Sequence, residues 1–343
     1  MTKTKSEILL IYTGGTIGMV KDFETGELIA FNFDEISKNI PELNHLDCNL
    51  KTISFENPID SSNMNPKHWV EIAEIIEKNY EKYDGFVVLH GSDTMSYTAS
   101  ALSFMFENLT KPIILTGSQL PIGDLRTDAK ENLITSIQIA QLKEKEKPLI
   151  NEVCLYFEYK LYRGNRTTKI NSEQFEAFSS PNYPTLIESG VHLTIHKEYF
   201  LKPTQNKKLI VHKNFDTNVA LIKLFPGIQL DVLLPIFNNK NVKAIILETY
   251  GAGNAPTEKS FINLIENSIK NGTIIVNVTQ CTKGNVIMGQ YETSTLLKKA
   301  GVLNGNNITT EAAITKLMIF IGNKLSFKAF KTLFETSLRG EIN

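Results

Sequence analysis

Two short apolar runs each end in a glycine turn that carries a hydroxyl side chain, and this repeated pattern constrains the fold of the chain most strongly. Ile8–Tyr12 leads into TGGT at residues 13–16, and Phe86–Leu89 leads into HGSDT at residues 90–94. A short apolar run bounded by turn residues predicts a strand buried on both faces, as in parallel sheets. Ligands of open α/β sheets bind beyond the carboxyl ends of the strands, so we expect the two turns to share one pocket.

The rest of the chain alternates between strand-like and helix-like segments, which predicts an α/β fold with helices on both faces of a parallel sheet. Further strands are predicted at Pro112–Leu115, Val153–Phe157, Val219–Phe225, Ala244–Leu247 and Ile274–Val278. Helices are predicted from the N-cap Asn65 to Tyr80, and at Met95–Phe106, Thr127–Gln141 and Glu258–Lys270. Met19–Phe33 has no clear period and predicts a loop, and long loops beside a reactive turn are often lids.

The length of 343 residues suits two domains. The alternation weakens between Glu198 and Asp216 and then resumes on a smaller scale. We therefore predict an N-terminal domain at residues 1–198 that carries the site, a linker at 199–215 and a smaller C-terminal α/β domain at 216–343.

Charge and composition exclude several classes of protein. The net charge of −1 gives no electrostatic reason to bind nucleic acid or an anionic membrane. The first apolar run is too short for a secretory signal, and no later segment is long enough to span a membrane, so we expect a cytoplasmic protein. Cys48, Cys154 and Cys281 are far apart, which favours neither a disulfide framework nor a zinc site.

Other recognisable chemistries are also absent from the sequence. It contains no G-x-S-x-G elbow and no phosphate-binding G-x-x-x-x-G-K-[ST] loop, and residues 251–254 (GAGN) lack the third glycine of a dinucleotide fingerprint. His192 and His196 lie in an alternating, strand-like segment rather than on one helix face. We therefore expect no metal and no cofactor, and we interpret His90 as structural.

Five longer motifs carry a specific resemblance. They are IYTGGTIG, LHGSDTM, ILTGSQLP, RGNRTTK and NVTQC, spread in this order from residue 11 to residue 281. Together they resemble the bacterial type I L-asparaginases, the cytoplasmic branch of the asparaginase/glutaminase family. The resemblance implies a larger N-terminal domain with a mostly parallel sheet flanked by helices, and a smaller flavodoxin-like α/β C-terminal domain.

The same resemblance assigns catalytic roles to four residues. Thr16 matches the nucleophilic threonine, and Ser92 matches the second hydroxyl of the site. Asp93 matches the carboxylate that receives the substrate's α-ammonium group, and Lys169 matches the lysine that works with Ser92 and Asp93. A neutral hydroxyl is a poor nucleophile until a base or polar network takes its proton, so Thr16 needs such partners.

Substrate binding is implied for a second group of residues. Ser61 matches the residue that holds the α-carboxylate, with Ser62 and Asn63 beside it, and Ser118 matches the position whose backbone carbonyl contacts the cleaved amide. Ser92 and Asp93 complete the predicted binding set. The resemblance thus implies hydrolysis of L-asparagine to L-aspartate and ammonia through an acyl-threonine, by a homodimer or a dimer-based tetramer.

Alternatives remain open at this point. They are a glutaminase-asparaginase of broader specificity, an amidotransferase subunit that feeds ammonia to a tRNA-linked partner, and a non-catalytic amino-acid sensor. The amidotransferase subunit normally has an added N-terminal region, whereas this sequence starts almost at its first predicted strand.

The sequence also departs from the family pattern. Ser92 replaces the usual threonine, and the lid tyrosine about ten residues after the nucleophile has no counterpart, since Gly26 is followed by Glu27 and Phe23 is the nearby aromatic residue. Some type I enzymes carry an allosteric asparagine site, to which Thr168 and Cys281 would correspond. The arginine of that site is replaced here by Glu248, so we predict weak or absent allostery.

Overall fold

A computed structural model describes residues 5–21, 28–30, 40–203, 207–290, 292–325 and 327–343. The chain divides into two compact units, Met1–Lys213 and Asn214–Asn343. Within the described ranges, none of the helices has the length and apolar character needed to cross a membrane.

The first unit is built on an eight-stranded mixed sheet and several short strand pairs. Its strands are β1 (Ser6–Tyr12), β2 (Met19–Lys21), β3 (Leu28–Ala30), β4 (Cys48–Ser54), β5 (Gly85–Leu89), β6 (Phe106–Glu107), β7 (Ile113–Thr116), β8 (Lys143–Glu144), β9 (Lys147–Pro148), β10 (Val153–Phe157), β11 (Lys160–Arg163), β12 (Thr168–Lys169), β13 (Phe178–Ser179), β14 (Ile187–Ser189), β15 (Leu193–Ile195) and β16 (Ile210–Val211). The large sheet has the order β15-β14-β11-β10-β7-β5-β1-β4. Strand β16, which lies inside the predicted linker, pairs with β6.

The half of this sheet from β4 to β10 is parallel, and β11, β14 and β15 add an antiparallel extension. Every residue of β5, β7 and β10 is buried, as their continuous apolar sequences predict. Each fully buried valine, leucine or isoleucine contributes about 1.5–3 kcal/mol by leaving water. The predicted mostly parallel sheet of the N-terminal domain is confirmed.

The strand register brings the predicted turns together. Tyr12 pairs with Leu89, and Leu89 pairs with Thr116, so β1, β5 and β7 end at the same level. The segments that follow these strands, at residues 13–16, 90–94 and 117–119, therefore lie side by side at the carboxyl edge of the sheet.

The described part of the first unit contains three α-helices, α1 (Pro66–Asn79), α2 (Met95–Met105) and α3 (Ala129–Ala140). Helix α1 begins as the sequence predicts, because the Asn65 side chain accepts a hydrogen bond from the backbone N–H of Lys67 and the His68 side chain accepts one from that of Asn65. Helix α2 directly follows the 3₁₀ turn Ser92–Thr94, so this turn lies at a helix N-terminus.

The prediction of an irregular loop at Met19–Phe33 is wrong where the structure describes it. Strands β2 and β3 pair antiparallel, with Met19 opposite Ala30. Strands of three residues are too short to reveal a period of two in the sequence, and backbone pairing alone defines them. Phe23, Gly26 and Glu27 lie outside the described residues.

The second unit contains a parallel sheet of order β17-β18-β19-β20. Its strands are β17 (Val219–Lys223), β18 (Ala244–Thr249), β19 (Ile274–Thr279) and β20 (Leu303–Asn304). Its helices are α4 (Leu230–Phe237), α5 (Lys259–Lys270), α6 (Glu292–Ala300), α7 (Thr310–Gly322) and α8 (Phe327–Phe334). The predicted smaller α/β unit is confirmed. Strands β17, β18 and β19 and helix α5 lie within two residues of their predicted ends, whereas β20 and the other four helices were not predicted.

Candidate active site

Three turns of the first unit lie in close contact, and glycine makes these contacts possible. Gly14 and Gly15 have φ of +128° and +86°, in the region that favours glycine. A Cβ on Gly14 would lie 2.2 Å from the carbonyl oxygen of Ile59, and one on Gly15 would lie 2.4 Å from the backbone nitrogen of Gly91. A Cβ on Gly91 would lie 2.5 Å from Ser61 Oγ. The turns after β1, β4 and β5 therefore meet at one point.

Backbone hydrogen bonds extend the parallel pairing past the strand ends. The Thr13 N–H and the Thr13 hydroxyl both donate to the Leu89 carbonyl, at 3.0 Å and 2.9 Å. Thr13 in turn accepts from the backbone N–H of Ile59 at 2.8 Å. Thr13 is thus a structural hydroxyl, and it sets the position at which the 3₁₀ turn Thr16–Gly18 begins.

Lys169 joins the second hydroxyl turn to the site. Its ammonium donates to Ser92 Oγ at 2.8 Å and to Asp93 Oδ1 at 2.6 Å. The lysine side chain is 17 % exposed and the aspartate 64 % exposed, so solvent screens this pair and it adds at most about 1 kcal/mol to stability. The exposed carboxylate stays accessible to a cation from solution. This cluster unites three of the four predicted catalytic residues.

The predicted carboxylate-binding residues form the 3₁₀ turn Ser61–Asn63. Ser61 is buried, and its carbonyl accepts from the Thr94 hydroxyl at 2.7 Å. Ser62 and Asn63 are exposed, and both the N–H and the hydroxyl of Ser62 donate to Asp60 at 2.8 Å. These hydrogen bonds lower the pKa of Asp60. Ser61 therefore lies at the same carboxyl edge of the sheet as the other turns, whereas the Ser62 hydroxyl stabilises its own turn.

The turn after β7 brings Ser118 to the same edge. A Cβ on Gly117 would lie 2.3 Å from the His90 carbonyl oxygen, so this turn also packs against the one after β5. Ser118 is buried, and its hydroxyl donates to the Leu120 carbonyl at 2.6 Å. The hydroxyl is used locally, which agrees with a predicted role that involves the backbone carbonyl of Ser118.

Gln119 also belongs to the cluster, although the sequence does not single it out. The Ser92 hydroxyl donates to Gln119 Oε1 at 3.1 Å. A glutamine is common on protein surfaces, so the residue type carries no signal. The sequence signal that could have indicated Gln119 is its position just after strand β7 and the glycine turn at Gly117.

His90 lies beneath the second turn and is completely buried. A carbonyl only accepts, so His90 Nδ1 carries the proton that it donates to Gly91 at 2.7 Å, and Nε2 accepts from the Thr98 hydroxyl at 2.8 Å. Thr98 accepts from Trp69 Nε1 at 3.0 Å. Burial lowers the pKa of His90 from 6.5 to about 4, which keeps the ring neutral. These contacts support the structural interpretation of His90.

These features define a class of protein. The candidate site lies at the carboxyl edge of the parallel part of the sheet and combines hydroxyls, one carboxylate and one ammonium group, a position and a set of groups that fit an α/β enzyme. Within this geometry, the lysine and Ser92 can exchange protons and the exposed aspartate can receive a cation.

Comparison with known proteins then gives the family. Residues 7–200 match the model described as "Asparaginase, N-terminal", and residues 218–334 match the "Glutaminase/Asparaginase C-terminal domain". The chain is 42% identical over 339 residues to "L-asparaginase 1" of Escherichia coli (strain K12), a match that covers 98% of this chain and 98% of that protein. The chain therefore belongs to the asparaginase family.

Solved structures agree with this assignment. L-asparaginase I from Vibrio cholerae has a TM-score of 0.90 and 39% sequence identity, over 99% of this chain and 100% of that chain. The thermostable L-asparaginase from Thermococcus kodakarensis has a TM-score of 0.88 and 32% identity, over 98% of this chain and 99% of that chain.

Proposed function

We propose that this protein hydrolyses L-asparagine to L-aspartate and ammonia, with Thr16 as the nucleophile. The observation that carries the proposal is the Lys169 ammonium, which donates to Ser92 at 2.8 Å and to Asp93 at 2.6 Å. Ser92 and Asp93 follow β5, and the turn after β5 contacts the Thr16 turn through Gly15. Similarity to L-asparaginases over nearly the whole chain supports the same reaction.

Recognition of the substrate requires one site for an anion and one for a cation. Ser61, buried against Gly91, holds the α-carboxylate, and the exposed carboxylate of Asp93 receives the α-ammonium group. Ser62 and Asn63 border the carboxylate site. The backbone carbonyl of Ser118 orients the side-chain amide toward Thr16.

The reaction then has two halves. Thr16 Oγ1 attacks the amide carbon, a proton reaches the leaving nitrogen, the C–N bond breaks and ammonia departs, which leaves an acyl-threonine ester. Water adds to the ester, the bond to Thr16 breaks and the threonine recovers its proton as aspartate forms. Backbone N–H groups of the Gly14-Gly15 turn stabilise the oxyanion in both halves, each by about 3 to 4 kcal/mol.

Proton transfer passes through Lys169 and Ser92. Because the chain lacks the usual lid tyrosine, the lid contributes closure and exclusion of water, and the lysine network exchanges the proton of Thr16 with a water. A lysine beside a carboxylate and a hydroxyl can both accept and return a proton.

The decisive measurement is ammonia and aspartate release from L-asparagine. Wild type should turn over, whereas Thr16→Ala should retain its fold and lose activity. Thr257→Ala removes the same atoms from an exposed threonine and should match wild type. Asparagine that binds to wild type without ammonia release would instead favour the amino-acid sensor.

An assay with glutamine instead of asparagine as the substrate tests the second candidate, a glutaminase-asparaginase of broader specificity. We expect asparagine to be the better substrate, because the relatives reported above are L-asparaginases. Comparable kcat/KM values for the two amides would favour the broader enzyme.

Assembly and location complete the proposal. The family resemblance supports a homodimer or a dimer-based tetramer in the cytoplasm. Light scattering on the purified full chain distinguishes these assemblies from a monomer, and cell fractionation tests the compartment.

A further inference from the structure

Gln119 connects the reacting cluster to the segment that follows Lys169. Its backbone is held by Asp128, whose carboxylate accepts from the Gln119 N–H at 3.1 Å and 2.9 Å and from the Leu120 N–H at 3.1 Å. The same carboxylate accepts from Asn132 Nδ2 at 3.2 Å. The main chain at Gln119 is thus fixed independently of its side chain.

The Gln119 side chain spans two elements. Its Nε2 donates to the backbone carbonyl of Gln174 at 3.0 Å, and its Oε1 accepts from the Ser92 hydroxyl at 3.1 Å. Gln174 lies between β12, which ends at Lys169, and β13. Because a backbone carbonyl can only accept, it fixes which end of the Gln119 amide faces Ser92.

The Gln174 carbonyl therefore fixes the direction of the hydrogen bond between Gln119 and Ser92. Gln119 Oε1 is an acceptor, so Ser92 must donate its proton to it. The Lys169 ammonium is a donor, so Ser92 receives it through a lone pair, at 2.8 Å. A hydroxyl has one proton and two lone pairs, which leaves one lone pair of Ser92 for a water or an N–H of the substrate.

Serine needs this external support more than threonine would. An unbranched hydroxyl side chain samples three staggered χ1 wells, whereas a β-methyl group restricts them. We propose that Gln119 is a positioning residue that fixes the rotamer and proton direction of the Ser92 hydroxyl. This inference rests on the proposed function, and in it Gln119 acts through Ser92.

The first test replaces Gln119 with methionine, which keeps the length of the side chain and removes both hydrogen bonds. One net hydrogen bond corresponds to about tenfold in rate, so kcat with asparagine should fall about tenfold, with KM and thermal unfolding close to wild type. Gln174→Ala is the matched control, because it removes an exposed side chain and keeps the backbone carbonyl. It should behave like wild type.

The second test asks whether the effect passes through the Ser92 rotamer. In a Ser92→Thr background the β-methyl group restricts the hydroxyl, so Gln119→Met should cost only about threefold or less. A merely structural role of Gln119 would give the same loss in both backgrounds.

Several outcomes would overturn the inference. An unchanged kcat in Gln119→Met, an equal loss in Gln174→Ala, or an equal loss in the two Ser92 backgrounds would each do so. A crystal structure of Gln119→Met tests the inference without an activity assay. Several Ser92 rotamers would support the inference, and one unchanged rotamer would overturn it. Wild type that releases no ammonia would overturn the proposed function but leave this structural readout intact.

Discussion

The carboxyl edges of the two parallel sheets carry similar side chains in opposite arrangements. In the first unit, the Ser92 hydroxyl contacts an ammonium group at 2.8 Å, that of Lys169. In the second unit, the Thr249 hydroxyl donates to Asn277 Oδ1 at 2.6 Å, and the Thr279 hydroxyl donates to the Gly251 carbonyl, also at 2.6 Å. These threonine hydroxyls thus donate to neutral groups; Ser92 also donates to a neutral group, Gln119 Oε1, but in addition accepts from an ammonium group.

A hydroxyl at a strand end is therefore not by itself a functional site. Where a proton-exchanging group contacts it, as at Ser92, the hydroxyl can take part in chemistry. Where its hydrogen bonds are to neutral groups, as at Thr249, the hydroxyl stabilises the fold. Two experiments test this distinction directly, and two others test the surroundings of the two edges.

The largest effect is expected from Lys169→Met, which removes the ammonium group and keeps much of the side-chain volume. Loss of proton transfer should lower kcat about a thousandfold, with little change in thermal unfolding. Lys160→Met is the matched control, because Lys160 pairs with the exposed Glu176 at 2.6 Å. Activity of Lys169→Met no lower than wild type would rule out the proposed proton route.

His90 tests how the same turn depends on its buried support. Its pKa of about 4 in the folded protein lies below the ordinary 6.5, so the unfolded chain binds the proton more tightly. The stability that this group contributes is complete above pH 6.5 and is lost as pH falls toward 4, by about 3 kcal/mol in all.

The measurement is the free energy of unfolding as a function of pH. His90→Gln should flatten the curve between these two values, whereas His45→Gln, at an exposed histidine, should leave it unchanged. Equal slopes for wild type and His90→Gln would contradict a neutral buried ring.

A pair of variants tests the two edges directly. Thr249→Val leaves the buried Asn277 Oδ1 without this donor, so it should cost about 1–3 kcal/mol of unfolding free energy with kcat unchanged. Ser92→Ala should show the reverse, with activity strongly reduced and stability changed by about 0.5 kcal/mol or less. Denaturant unfolding and ammonia release are measured on both variants. The same pattern of stability and activity in the two variants would contradict the distinction.

The smallest effect is expected at Glu248. It accepts from the Thr310 hydroxyl at 2.6 Å, and its negative charge disfavours a substrate carboxylate. The rate curve in asparagine should be hyperbolic, with a Hill coefficient of about 1 in wild type and in Glu248→Gln. A sigmoidal curve that Glu248→Gln abolishes would contradict the predicted weak or absent allostery.

Seven strands and four helices were predictable, because a local sequence signal marks each of them. The apolar runs of β5, β7 and β10 and the capping residue of α1 each carry a signal within a few residues. The hairpin β2–β3 was not predictable, since strands of three residues carry no usable period. The resemblance to asparaginases singled out Ser92, Asp93 and Lys169 as candidate site residues, but it did not predict the hydrogen bonds among them.

Local sequence sets which strands end in glycine turns and which hydroxyls follow them, because glycine tolerance and apolar burial act residue by residue. The tertiary structure alone decided the partner of each hydroxyl. Lys169 reaches Ser92 across 77 positions, and Gln119 reaches Gln174 across 55. Such contacts depend on strand order and register, and they separate a hydroxyl that can react from one that only holds the backbone.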